Sequence, residues 1–168
     1  MKTIAVLAGI GLFLQGCSYA ISPAVADKTD KTISFERLQA DPDLYKGKLV
    51  ILGGTIDQVT SVKQGTLIEV VQKPLDYWGK PRRTKKTGGH FLLLYPGYLN
   101  TMVYAPGREI TVAAEVEGTG GKELESAAYD YLLVVSKELK LWKQERQTWN
   151  SPQWIDPLYD PSSPGRRD

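Results

Sequence analysis

Leu49-Val50-Ile51-Leu52-Gly53-Gly54-Thr55-Ile56 is an apolar, partly β-branched run with two glycines in its interior. β-branched residues favour strand. Paired glycines inside a strand mark a bulge or a sharp bend, as at the corner of a small barrel. The run predicts a strand that bends, and the remaining segments are read outward from it.

Toward the C-terminus, Gln64-Gly65 predicts a hairpin turn and residues 66–72 a second strand. Leu67, Ile68, Val70 and Val71 make that strand too apolar to be wet on a whole face. Residues 73–89 carry Pro74, Gly79, Pro81 and Gly88-Gly89 and predict a long loop. Residues 90–95 predict a third strand, and residues 98–104 a short helix or irregular cover. Residues 109–117 alternate cleanly, with Ile110, Val112, Ala114 and Val116 on one face and polar or small residues on the other. Gly118-Thr119-Gly120-Gly121 predicts a turn, since it lacks the Lys-Ser/Thr ending of a phosphate loop. Residues 129–135 predict a fifth strand, with a bent continuation to Trp142.

Toward the N-terminus, Ser34 is a natural cap for a short helix over 35–40, in which Phe35 and Leu38 share a face. Asp41-Pro42 ends it. Tyr45 packs inward and Lys46-Gly47 turns the chain. The count and order predict a mainly β fold: a small OB-like five-stranded barrel with a short N-terminal helix. An up-and-down β-sandwich of the same strands is the alternative.

Residues 1–16 have one charge, Lys2, followed by an apolar run from Ile4 to Leu14. A short cationic start, an apolar core and small residues at its end describe a secretory signal. The run falls short of the roughly 20 residues that a membrane span needs. Leu14-Gln15-Gly16-Cys17 resembles the lipobox of bacterial lipoproteins, cleaved between Gly16 and Cys17. That resemblance implies diacylglycerol and N-acyl chains on Cys17 and no other cofactor, and Ser18 after it favours the outer membrane. Two or more chains hold a membrane durably where one binds reversibly. Residues 17–32 are small and polar and predict a lipidated N-terminus and flexible linker, followed by a barrel domain over 33–146. Residues 147–168 hold four of the ten prolines and predict a flexible, extended tail, Pro- and Trp-rich, in which Trp149 and Trp154 suit contact with a partner.

Without Lys2 the balance is 20 basic against 19 acidic residues, from 21 and 19 in the whole chain. That balance lacks the basic bias of a nucleic-acid partner. One cysteine excludes an internal disulfide, and one histidine with no second cysteine excludes the usual zinc sets, so no metal is expected. His90 opens a strand without a Gly-x-Ser-x-Gly elbow or other catalytic signature, and Glu115, Glu117, Glu123 and Glu125 read as solvated. Lys80, Arg82, Arg83, Lys85 and Lys86 put five cations in seven residues, preceded by Tyr77-Trp78. Basic residues are attracted to anionic headgroups and Trp to the membrane interface. With Trp78, these five form the candidate membrane or anionic-surface contact, with lipopolysaccharide phosphates as one partner class and an envelope protein as another. Nothing in the sequence specifies an oligomeric state.

Several pieces in fixed order carry a family resemblance: Asp41-Pro42-Asp43-Leu44-Tyr45-Lys46-Gly47-Lys48, Gly53-Gly54, the run from Glu69 to Asp76 with Gly79-Lys80-Pro81, His90-Phe91-Leu92, Gly107-Arg108-Glu109-Ile110-Thr111-Val112, and Leu141-Trp142. Together they resemble the Slp family of outer-membrane lipoproteins from Cys17 to about Trp142, with the tail after about Arg146 outside the match. The resemblance implies a lipid-anchored, periplasm-facing, non-enzymatic protein of a Gram-negative outer membrane, linked to starvation or acid stress. It carries over no catalytic residues. Two other functions have stated requirements. A carboxylate- or His90-dependent hydrolase needs a deep pocket joining those groups. A small-ligand or lipid carrier needs an open apolar cavity.

Overall fold

The computed structural model describes residues 19–120 and 131–144. The signal segment, Gly16, Cys17, Trp149 and Trp154 lie outside the described residues. In chain order the elements are α1 (Pro23–Ala26), α2 (Phe35–Ala40), a 3₁₀ turn (Pro42–Tyr45), β1 (Leu49–Val62), β2 (Gly65–Gln72), β3 (His90–Tyr95), β4 (Glu109–Gly120) and β5 (Tyr131–Leu141). The strands close in the order β1-β2-β3-β5-β4, with β3 and β5 parallel and the other pairs antiparallel. Closure rules out the sandwich alternative.

The two glycines of β1 stand where one strand serves two neighbours. Residues 49–55 pair with β4 and residues 54–62 with β2, so Gly54 faces both Ile110 and Gln72. A Cβ on Gly54 would lie 2.0 Å from the Val71 carbonyl oxygen, and one on Gly53 2.9 Å from the Ile110 carbonyl oxygen. Three backbones approach here more closely than any side chain permits. The bend therefore comes from residues whose only necessary property is the missing Cβ.

Alternation then fills the interior. Val50, Leu52 and Ile56 of β1, Ile68 and Val70 of β2, and Phe91 and Leu93 of β3 point inward. Ile110, Val112, Ala114 and Val116 of β4 and Leu132 and Val134 of β5 complete the cluster. Each large apolar side chain buried this way is worth about 1.5–3 kcal/mol. A six-residue helix has no stability of its own. α2 is held by the Ser34 cap, whose hydroxyl accepts the Arg37 N–H, and by Phe35 and Leu38, which join the interior cluster. The interior is occupied by side chains, as expected for a barrel of five strands.

The structure departs from the sequence reading at three places. β4 runs through Gly118 to Gly120 rather than turning there, because those residues pair with residues 131–133 of β5 across a register shift. β1 continues six residues beyond Ile56, forming a hairpin arm with β2 after a shift between Ile56 and Gln58. Residues 19–32, read as a free linker, are packed on the barrel wall. Ala20 and Ile21 are buried with Ala113 of β4, and the Asp30 N–H donates to the Leu49 carbonyl. Ala113, on the outer face of β4, gives that segment a small side chain to pack on.

Candidate functional site

The loop between β2 and β3 is built around Asp76. Its carboxylate accepts the N–H groups of Trp78 and Lys80, at 2.9 and 2.8 Å, while its own N–H donates to the Lys80 carbonyl. Leu75 and Pro81 bridge below it. A short Asx-type turn of this kind projects its tip residues, here Tyr77 and Trp78, which are 79% and 51% exposed. The tip is clamped to β4 as well. The buried Thr111 hydroxyl donates to the Gly79 carbonyl at 2.6 Å and accepts the Trp142 indole N–H at 2.9 Å.

The packed N-terminal segment runs past this tip. The Ala20 N–H donates to the Trp78 carbonyl, and Ser22 donates through its N–H and hydroxyl to the two Glu138 carboxylate oxygens at 2.9 and 2.7 Å. Tyr19, half exposed, meets Trp78 at 6.1 Å, and Tyr77 meets Trp78 edge-on at 5.3 Å. Between segment and loop lies an open, mostly apolar cleft of about 480 Å³, lined by Tyr19, Ile21, Ile51, Leu75 and Trp78 among others. Three aromatic rings thus gather at the rim of an apolar cleft, two residues downstream of Cys17. Over two residues a chain reaches at most about 7 Å.

The basic cluster is divided by the fold. Lys80 lies over the Trp142 ring at 5.9 Å, and Lys140 lies at the same distance from it. Arg83 lines a separate, polar cleft with Arg108 and Lys143. Arg82, Lys85 and Lys86 are exposed, and Lys73 ties the loop by donating to the Thr84 carbonyl at 2.8 Å. Trp78 packs with Tyr19 and Tyr77.

His90 is not alone. Its Nδ1 lies 2.8 Å from Glu69 Oε1, and its ring stacks on Tyr131. Asp57 joins them, so that one ligand atom from each of the three residues lies within 4.8 Å of the others. The trio stands on the outer wall of β1, β2 and β3 and lines neither of the clefts described above. Reading from sequence missed this grouping because Glu69 and His90 meet only through the diagonal of the β2–β3 register. It missed Tyr19 because nothing local marks a small polar segment as packed.

A family model described as the outer membrane lipoprotein Slp family matches residues 14–165. Outer membrane protein Slp of Escherichia coli (strain K12) is 23% identical over 171 residues, covering 92% of this chain and 90% of that protein. The family match extends through the tail that sequence reading had placed outside it.

Proposed function

The chain belongs to the outer membrane lipoprotein Slp family, and from that premise we propose that it is tethered by acyl chains on Cys17 to the periplasmic leaflet. There its role is structural or binding rather than catalytic, in an envelope under starvation or acid stress. The aromatic rim of Tyr19, Tyr77 and Trp78 then sits at the lipid interface beside the anchor. Arg82, Lys85 and Lys86 lie within the same loop, where anionic headgroups or lipopolysaccharide phosphates attract cations. The observation that carries this reading is the docking of Ala20 and Ile21 directly after the lipobox-like quartet. It leaves Ser18 and Tyr19 between Cys17 and the first buried residue, Ala20, and it puts aromatic residues, which prefer the interface, at the membrane end.

The test is Cys17→Ala in the full-length protein. Acyl labelling is expected to disappear and the protein to leave the membrane fraction. A variant still processed and membrane-bound would sink the anchor. For the role, loss of the protein is expected to raise envelope permeability under starvation and acid; unchanged permeability in both would sink it.

A further inference from the structure

We propose that Asp57, Glu69 and His90 bind a zinc-class divalent ion on the outer wall of the barrel, through one imidazole nitrogen and two carboxylate oxygens, with solvent completing the shell. The site shares no residue with the anchor or the aromatic rim and does not depend on either.

The donor set selects the ion. An imidazole beside two carboxylates suits zinc and its first-row neighbours, whereas calcium and magnesium take oxygen alone. Three protein ligands with open positions form a recognised zinc arrangement. A search for several cysteines or histidines does not find it, because it needs only the single histidine this chain has.

The geometry is close to that of a chelate. Metal–ligand bonds of about 2.0–2.1 Å at tetrahedral or octahedral angles hold neighbouring ligand atoms about 2.9–3.4 Å apart. His90 Nδ1 and Glu69 Oε1 are already 2.8 Å apart. The third ligand atom lies within 4.8 Å. It belongs to Asp57, which is exposed and sits at the register shift between Ile56 and Gln58.

The scaffold favours binding over chance proximity. Glu69 and His90 stand at paired positions of β2 and β3, which hold ligands more rigidly than loops do. The His90 ring is steadied against Tyr131 at 6.2 Å and 26°, on the strand that pairs in parallel with β3. Two carboxylates this close repel one another, and a dication turns that repulsion into attraction from both sides.

The experiment is a zinc titration of untagged full-length protein in detergent, competed against a chromophoric chelator at neutral pH. One zinc per chain is expected. His90→Gln and Asp57→Asn should each weaken it at least tenfold, and Glu115→Gln, at a carboxylate paired with Lys137 elsewhere on the wall, should leave it unchanged. A variant that folds poorly is recognised by its unfolding midpoint without zinc. The wild type then decides alone, because the only histidine ring signals in its NMR spectrum are those of His90. Those signals should shift and saturate at one equivalent. Absent zinc binding, ring signals that do not move, or either ligand variant binding like wild type would overturn the site.

Discussion

At the scale of single residues, the glycines separate two uses of a missing side chain. Gly54 is required by contact, because a methyl group would meet the Val71 carbonyl. Gly47 is required only by its backbone, with φ +79 and nothing within 4 Å of a Cβ. Gly54→Ala should therefore cost about 3 kcal/mol or more, since backbone from two strands must move. Gly47→Ala should cost about 1–2 kcal/mol, the strain of a left-handed residue. Urea unfolding of both variants checks the ratio, and equal costs would mean that the β1 bend is not a contact device. Asp30 gives a second residue-scale prediction. Its carboxylate accepts the Thr32 hydroxyl and N–H at 2.6 and 3.0 Å, and these bonds hold it below the usual carboxylate range. A depressed folded value stabilises the fold above the unfolded value of about 3.9. That contribution fades as pH falls through the lowered folded value. Protection of the Thr32 amide, relative to its intrinsic exchange rate, should fall over that acid window, and Asp30→Asn should remove that change.

At the scale of elements, legibility followed how local the cause was. β3 was read with its observed bounds because Gly88-Gly89 precedes it, Pro96 follows it, and the apolar run between them is continuous. The Ser34 cap and the Phe35–Leu38 face were read correctly for the same reason. β1 was cut short at Ile56 because alternation fails beyond it. Residues 57–62 form a hairpin arm of low burial, held by pairing with β2 rather than by a buried face. β4 was cut short because Gly118 and Gly120 carry turn chemistry, and only the partner strand shows that they pair. The candidate site behaves likewise: Tyr77-Trp78 was visible as a dipeptide, whereas its clamp was not. That clamp is Thr111, buried between the Gly79 carbonyl and the Trp142 indole. Thr111→Val keeps the shape and leaves both groups unpaired, which should cost about 2 kcal/mol or more. It should also loosen the loop tip, seen as faster protease cleavage between Leu75 and Pro81. Stability lost without faster cleavage would place Thr111 in packing alone.

At the scale of the whole molecule, the packed N-terminal segment changes what the anchor can do. A free linker of about 13 residues would give an r.m.s. span near 20 Å, and the barrel would face the membrane in every orientation. In the arrangement proposed above, with acyl chains on Cys17, docking of Ala20 and Ile21 on Ala113 and the hold of Glu138 on Ser22 leave Ser18 and Tyr19 between the anchor and the first buried residue. Three residue steps span at most about 11 Å, so in that arrangement Ala20 and the aromatic rim beside it would stay near the headgroups, and the barrel would present one side to the lipid. An interface of three rings would add little to the affinity that the proposed acyl chains supply, so its effect would be on orientation rather than on binding. A flexible Gly/Ser insertion of about ten residues after Ser18 separates the two. Membrane association should be unchanged, because the lipid is unchanged. Oxidative footprinting at Trp78 should rise toward the level of the unanchored Cys17→Ala protein, because the barrel can then turn its rim to water. Footprinting equally low with and without the insertion would show that the rim binds lipid by itself. Footprinting equally high in both would show that the rim faces water and that the anchor sets distance alone.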